Sequence, residues 1–293
     1  MSKWIIGGST ITWDRATPRE QVLTEIAQAG YEGAPSGPRG GVTGQETVEF
    51  YARFGLKPGP GYLGANFEKA EEEAAILERA HTLGAFMRDI GCTELYVAAG
   101  GFDGYVTSRG KTRRQIAGQV LPEDAMTDAE YEQFARTLDK VGAITLEYGV
   151  SSCFHNHVGS TIETREEIDR LFERVDPKRV FHGPDIGHLA WAGADPVAYC
   201  KAYASAIKSV HLKDIYPDVL QEGLEKTWTY GEFSEAGIFA ELGEGMVDFP
   251  AIFDVLRGAG FEGWIISEID RTTKPTALES AAICRNYLRS LGL

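Results

Sequence analysis

VFHGPDIGHLAWAGADPV, residues 180–197, is the stretch whose reading decides the fold. Its start belongs to a short strand near 179–184, Asp185 and His188 fall on the turn that follows, and Asp195-Pro196 restarts the chain as a helix, with aspartate as N-cap and proline at the first helical position. Strand, turn and helix in so short a span is the unit that, repeated, builds a parallel sheet, because each parallel crossover needs a helix. The apolar strand end needs no carboxylate for packing. Asp185 therefore points to something outside the core.

The same punctuation recurs outward along the chain. Helix-like stretches run through a glycine into an extended segment at QAGYEG (28–33), RFGLKP (53–58), DIGCTE (89–94), EYGVSS (147–152) and GAGFEG (258–263). Such a glycine can take the left-handed conformation that closes a helix. Helix starts are expected at Thr17-Pro-Arg-Glu20, Thr127-Asp-Ala-Glu130 and Thr164-Arg-Glu-Glu167, each with capping-box spacing. Between these signals lie extended segments near 4–10, 31–35, 56–62, 94–99, 150–156, 179–184, 208–214 and 264–269. Eight strands alternating with helices predict an α/β chain closed as a (β/α)8 barrel, one domain over 1–293. An open doubly wound sheet is the alternative, but the first strand lacks a Gly-x-Gly-x-x-Gly fingerprint. The stretches 100–126 and 216–247 read as long βα loops on the catalytic face.

The 293 residues carry a formal charge of −14, which repels nucleic acid and anionic membranes and predicts a small neutral or cationic partner. No run approaches the roughly 18 apolar residues of a membrane span, and the first residues lack a signal-peptide pattern, so the expectation is a soluble, cytoplasmic protein. The four cysteines, Cys92, Cys153, Cys200 and Cys284, show no Cys-x-x-Cys pair and read as reduced and buried.

Five of the six histidines, His155, His157, His182, His188 and His211, fall within 57 residues covering three consecutive strand ends. In IKSVHLKDI the period of two sends Val210 and Leu212 to one face and His211 and Lys213 to the other. The same count groups His155 with His157, and Glu268 with Asp270. A divalent cation wants carboxylate oxygens and an imidazole arriving from several directions. Asp185, His211 and Glu268 form such a set on neighbouring strands. A fourth ligand is expected from strand 5: Glu163, just before the Thr164 cap, is favoured, with His155 or His157 as substitute. The bland readings are an Asx-turn for Asp185 and an ion pair to Lys213 or Arg271 for Glu268.

In this order, FHNHVGSTIET, GPDIGHLAWAGADPV, VHLKD, LGEGMVDFP and IISEID resemble the xylose-isomerase-like TIM-barrel superfamily of sugar isomerases and epimerases, most of all its inosose (keto-inositol) dehydratase branch. The resemblance implies a divalent metal, Mn²⁺ first, with Co²⁺, Mg²⁺ or Zn²⁺ as alternatives, held by Asp185, His211 and Glu268. Its epimerases carry a glutamate on strand 5, where this chain has the HNH of residues 155–157, and that departure favours the dehydratase branch.

The chemistry expected is a lyase reaction on a keto-polyol or keto-sugar, a dehydration or β-elimination through a metal-stabilised enediolate. His155 and His157 would be acid and base, and Lys213 would polarise the carbonyl or hold a hydroxyl. Trp13, His188, Glu244 and Arg271 are candidate substrate contacts, and Asp195 is assigned to helix capping alone. The partner is a small sugar or cyclitol, with no nucleic acid and no membrane; a homo-oligomer is left open. An isomerase or epimerase of free ketoses is the alternative function. A nuclease relative would need a basic groove, and a non-catalytic binding barrel would show no turnover.

Overall fold

The computed structural model describes residues 4–293. In chain order its elements are β1 (Trp4–Gly8), α1 (Arg19–Ala29), β2 (Gly33–Pro35), α2 (Gly44–Ala52), β3 (Lys57–Gly59), β4 (Gly61–Ala65), α3 (Glu73–Ile90), β5 (Glu94–Ala99), α4 (Asp128–Glu147), β6 (Ser151–His155) and α5 (Arg165–Phe172). They continue with β7 (Val180–His182), α6 (Ile186–Trp191), α7 (Pro196–Tyr203), β8 (Val210–Leu212), β9 (Asp214–Ile215), α8 (Pro217–Glu225), α9 (Tyr230–Glu235), β10 (Phe239–Ala240), α10 (Phe249–Gly258), β11 (Gly263–Ser267) and α11 (Ala277–Ser290). Each of the eight expected extended segments contains a strand.

The barrel is written as two parallel arcs, β3-β2-β1-β11-β8 and β4-β5-β6-β7. Both seams fall at prolines. Pro60 lacks an N–H, so the third barrel strand splits into β3, which pairs with β2, and β4, which pairs with β5. At the other seam Gly183-Pro184 ends β7, and closure rests on Lys208 N–H donating to His182 O at 3.0 Å and His211 N–H donating to Pro184 O at 2.9 Å. The isolated Asp185–His211 bridge completes that seam. A residue from the turn and a residue from β8 are thereby set side by side at the rim.

Packing inside the first arc depends on absent side chains. A Cβ on Gly7 would lie 2.6 Å from Ile266 Cδ1, one on Gly33 2.6 Å from the Trp264 ring, and one on Gly59 3.0 Å from it. Three glycines on adjacent strands thus admit one buried indole. At the stops, Gly30, Gly55, Gly91, Gly149 and Gly260 all have positive φ. The capping boxes at Thr127 and Thr164 form. The one expected at Thr17 does not: α1 begins at Arg19 with Pro18 as N-cap and no side-chain cap, because Thr17 lies one residue too far upstream. The stretch 216–247 is also more ordered than expected, containing α8, α9 and an antiparallel β9–β10 pair. All four cysteines are free and buried. Among the described residues no helix is long and apolar enough to cross a membrane.

Candidate active site

Asp185 serves two structures at once. Its Oδ1 accepts the amide of His188 at 3.0 Å and so caps α6, while its backbone N–H donates to Asn156 Oδ1 at 3.0 Å. The cap fixes the carboxylate so that Oδ2 faces the barrel axis. There Lys213 Nζ lies 3.1 Å away, and His155 Nε2 and His188 Nε2 are each 4.0 Å away. From β8, His211 Nδ1 comes within 3.4 Å of Glu268 Oε1. Glu268 follows β11, with Oε2 accepting from Ser9 Oγ at 2.7 Å.

Two groups of metal-ligating atoms result. One atom each from His155, Asp185 and His211 lie within 4.8 Å of one another; so do atoms from His157, His188 and Asp270. Lys213 stands between the groups, 3.2 Å from Glu268, 2.7 Å from Asp270 and 2.9 Å from His188 Nε2, to which it donates. Burial pushes this lysine's pKa down, but Asp185, Asp270 and Glu268 more than reverse that, and the ammonium stays charged. Burial raises the Asp185 carboxyl against the pull of Lys213. Burial alone would raise Glu268 too; His211 and Lys213 instead hold it well below the usual carboxylate range. Burial, then the charges of neighbours, keeps His155 and His188 neutral, and lowers His157 to about 4.

The donor set fits a divalent cation. His155 Nδ1 and His211 Nε2 are buried without a partner, while Asp185 Oδ2 and His211 Nδ1 make only ion-pair contacts, with Lys213 and Glu268, a costly arrangement that a ligand relieves. Three carboxylates surround one ammonium, leaving two negative charges for a cation to cancel. Two imidazoles and carboxylate oxygens suit Mn²⁺, Co²⁺ or Zn²⁺ better than an all-oxygen Mg²⁺ shell.

The expected fourth ligand is not brought to this cluster. Glu163 is buried with Oε1 accepting from Gly118 N–H at 2.7 Å and Oε2 from Gly159 N–H at 2.6 Å. Burial raises its pKa to about 7 against nearby Arg113 and those amides. Both oxygens are spent on loop backbone, and the β6 end supplies His155 instead. Glu244 is also elsewhere, bound to Tyr216 Oη and Lys274 Nζ at 2.7 Å each, because Asp214 pins its loop through the amides of Gly243, Gly245 and Val247. Arg271 is exposed. Trp13 is in a cavity wall, its indole N–H donating to Glu25 at 2.6 Å. His188 joins the second group, its ring 3.8 Å from that of His157.

Asp270 is the main residue that the strand-end reading left without a role, although period two places it beside Glu268. Tyr230, whose hydroxyl donates to Asp270 at 3.1 Å, gave no sequence signal; it arrives from α9 in the stretch read as loop. Tyr62 and Tyr96 stand edge-on to His155, with ring centroids 5.4 and 5.5 Å away.

Residues 23–289 match the profile of a family described as xylose isomerase-like TIM barrel. Among curated relatives, the rhizopine catabolism protein MocC of Rhizobium meliloti is 33% identical over 87% of this chain and 75% of its own length. An inosose dehydratase of Geobacillus thermodenitrificans is 29% identical over 92% of this chain and 88% of its own. Among solved structures, a sugar phosphate isomerase/epimerase from Parabacteroides distasonis superposes with a TM-score of 0.70 at 16% identity, covering 99% of this chain and 94% of that one. This last likeness speaks to fold.

Proposed function

The chain belongs to the xylose isomerase-like TIM barrel family, and from that premise we propose that it is a divalent-metal-dependent lyase removing water, or another β-leaving group, from a keto-polyol or keto-sugar such as an inosose. The observation that carries this reading is the convergence of uncapped His155, Asp185 and His211 atoms at the barrel rim, with Glu268 beside them. These four are the proposed ligands. Bound there, a divalent cation would draw charge from a carbonyl and its neighbouring hydroxyl as the adjacent carbon loses its proton.

The remaining residues handle that proton. His157 Nδ1 is 2.7 Å from Val158 O, so it carries the hydrogen, and Nε2 is left as an acceptor. Its ring centroid lies 6.3 Å from that of His155, a gap suited to a substrate carbon. In the proposed step Nε2 takes the proton α to the carbonyl, and the electron pair of that C–H bond forms the new double bond. The β C–O bond breaks, and the imidazolium returns its proton to the departing oxygen, which leaves as water. His155, first expected as partner acid, is reassigned to the metal group. Lys213 neutralises the carboxylates and orients them, with Asp270 and Tyr230 holding its far side. An imidazole rather than a carboxylate at the β6 end leaves a two-acid epimerase shuttle one acid short.

The test combines elemental analysis with turnover of keto-inositol before and after chelation. A product lighter by one water, lost with the metal and regained on adding Mn²⁺, supports the reading. A product of unchanged mass assigns an isomerase or epimerase instead.

A further inference from the structure

Beside the metal-ligand cluster lies a cavity of about 630 Å³, bounded by the loops after β1 and β2 and by β4. Tyr62 belongs to its wall and also stands edge-on to His155, so the cavity opens next to the reacting centre. Pockets that enclose whole small ligands span about 300–1,000 Å³, and an unsubstituted six-carbon ring would leave much of this one empty.

Its lining runs against the acidity of the chain. Arg15, Arg19 and Arg39 all line it, facing Asp14 as the one acid of the wall. None of the three has a carboxylate partner among the described residues: Arg19 lies over the rings of Phe50 and Tyr51, and Arg15 and Arg39 are exposed. Elsewhere arginines are commonly paired, as Arg113 is with Glu167 and Arg170 with Asp128. Two independent features point the same way. Ser36, 8% exposed, belongs to the cavity wall, and its buried hydroxyl has no hydrogen-bond partner. The N-terminus of α1, whose Thr17 and Arg19 are in the wall, has no capping side chain on its first-turn amides, with Glu20 as the one acid of that turn.

We propose that this cavity receives an anionic substituent, a phosphate or carboxylate, carried on the end of the sugar or cyclitol remote from the reacting carbonyl. This rests on the reading that the substrate sits beside His155. It reverses the expectation of a neutral or cationic partner drawn from net charge, because unpaired guanidiniums a few ångströms away outweigh a diffuse and screened surface charge.

Calorimetric titration of the protein as isolated with sugars that carry no ketone separates the binding claim from turnover. The probes are glucose, glucose 6-phosphate and glucuronate, applied to the wild type and to an Arg15→Ala/Arg39→Ala variant. Both replaced side chains are exposed, and an unchanged melting curve verifies the fold. One charged sugar is expected to bind the wild type at least tenfold more tightly than glucose, with that preference abolished in the variant and weakened by salt. Stronger binding of glucose 6-phosphate identifies a phosphate, and of glucuronate a carboxylate. Equal binding of all three sugars, or a preference that survives in the variant, overturns the proposal. If the preference holds while no keto-sugar is turned over, the lyase reading fails and the anion site stands.

Discussion

Two buried groups of charged side chains flank the β6–α5 connection, and they differ in how their polar atoms are satisfied. In the first, Arg113 is fully buried and forks onto both oxygens of Glu167 at 3.0 and 2.8 Å, while its Nε donates to Ser160 O. Glu167 Oε2 also accepts the amides of Glu163 and Thr164, and Glu163 accepts two loop amides. In the second, around Lys213, Nδ1 of His155 and Nε2 of His211 have no partner, and Oδ2 of Asp185 and Nδ1 of His211 have only ion-pair contacts with Lys213 and Glu268. Equal burial and similar composition therefore mean different things. A closed network orders its loop, whereas an open one holds atoms available to something the chain does not contain.

The largest expected effect lies in the open group. Asp185→Asn or His211→Ala should remove bound metal and lower turnover at least 100-fold, read by elemental analysis and by product formation from keto-inositol. Full metal retention in both variants would leave the open atoms without a ligand. Next comes the closed group, where Arg113→Met strands Glu167 and its neighbour; removing one partner of a buried pair costs about 3–5 kcal/mol. Denaturant unfolding should show that loss, with the metal content of the folded fraction unchanged.

Glu163→Gln sharpens the boundary. It keeps one acceptor oxygen but turns an amide group toward a backbone N–H, costing about 1–3 kcal/mol, and should leave metal bound. Metal loss as complete as in Asp185→Asn would return Glu163 to the ligand set. The smallest effect concerns His182, whose Nδ1 is 2.7 Å from Tyr199 Oη and whose ring stacks between Phe172 and Tyr203. Burial, with Arg165 adding to it, lowers its pKa to about 3. The unfolded chain takes up this proton as pH falls below about 6.5, while the folded chain does not. Its contribution is complete above that pH and declines toward pH 3, at up to about 1.4 kcal/mol per pH unit. His182→Phe should flatten the stability profile in that window, measured by urea midpoints between pH 4 and 7.

Much of this was legible locally. The five glycine stops, the eight strand segments and the caps at Asp195, Thr127 and Thr164 depend on interactions spanning a few residues. Even Thr17 failed for a local reason, a helix start displaced by Pro18. Asp185, His211 and Glu268 were legible because strand ends of a parallel barrel share one rim, and period two assigns their face. The amide contacts of Glu163 were not legible, because nothing in its neighbours in sequence foretells that Gly118, from another loop, would take one of its oxygens. Tyr230 was missed for the same kind of reason, since its loop folds into α9 before reaching Asp270.

The sequence by itself thus determined the elements, their order, the parallel barrel and the rim at which the acids and imidazoles gather. Those follow from backbone preferences and side-chain periodicity, which act over one turn or one strand. Only the tertiary structure decided which buried carboxylates are spent on the fold and which remain open, and that an acidic chain lines a cavity near its clustered histidines with arginines that have no carboxylate partner among the described residues. Hydrogen-bond saturation and local field are set by atoms within a few ångströms in space, and those atoms come from loops scattered across the whole chain.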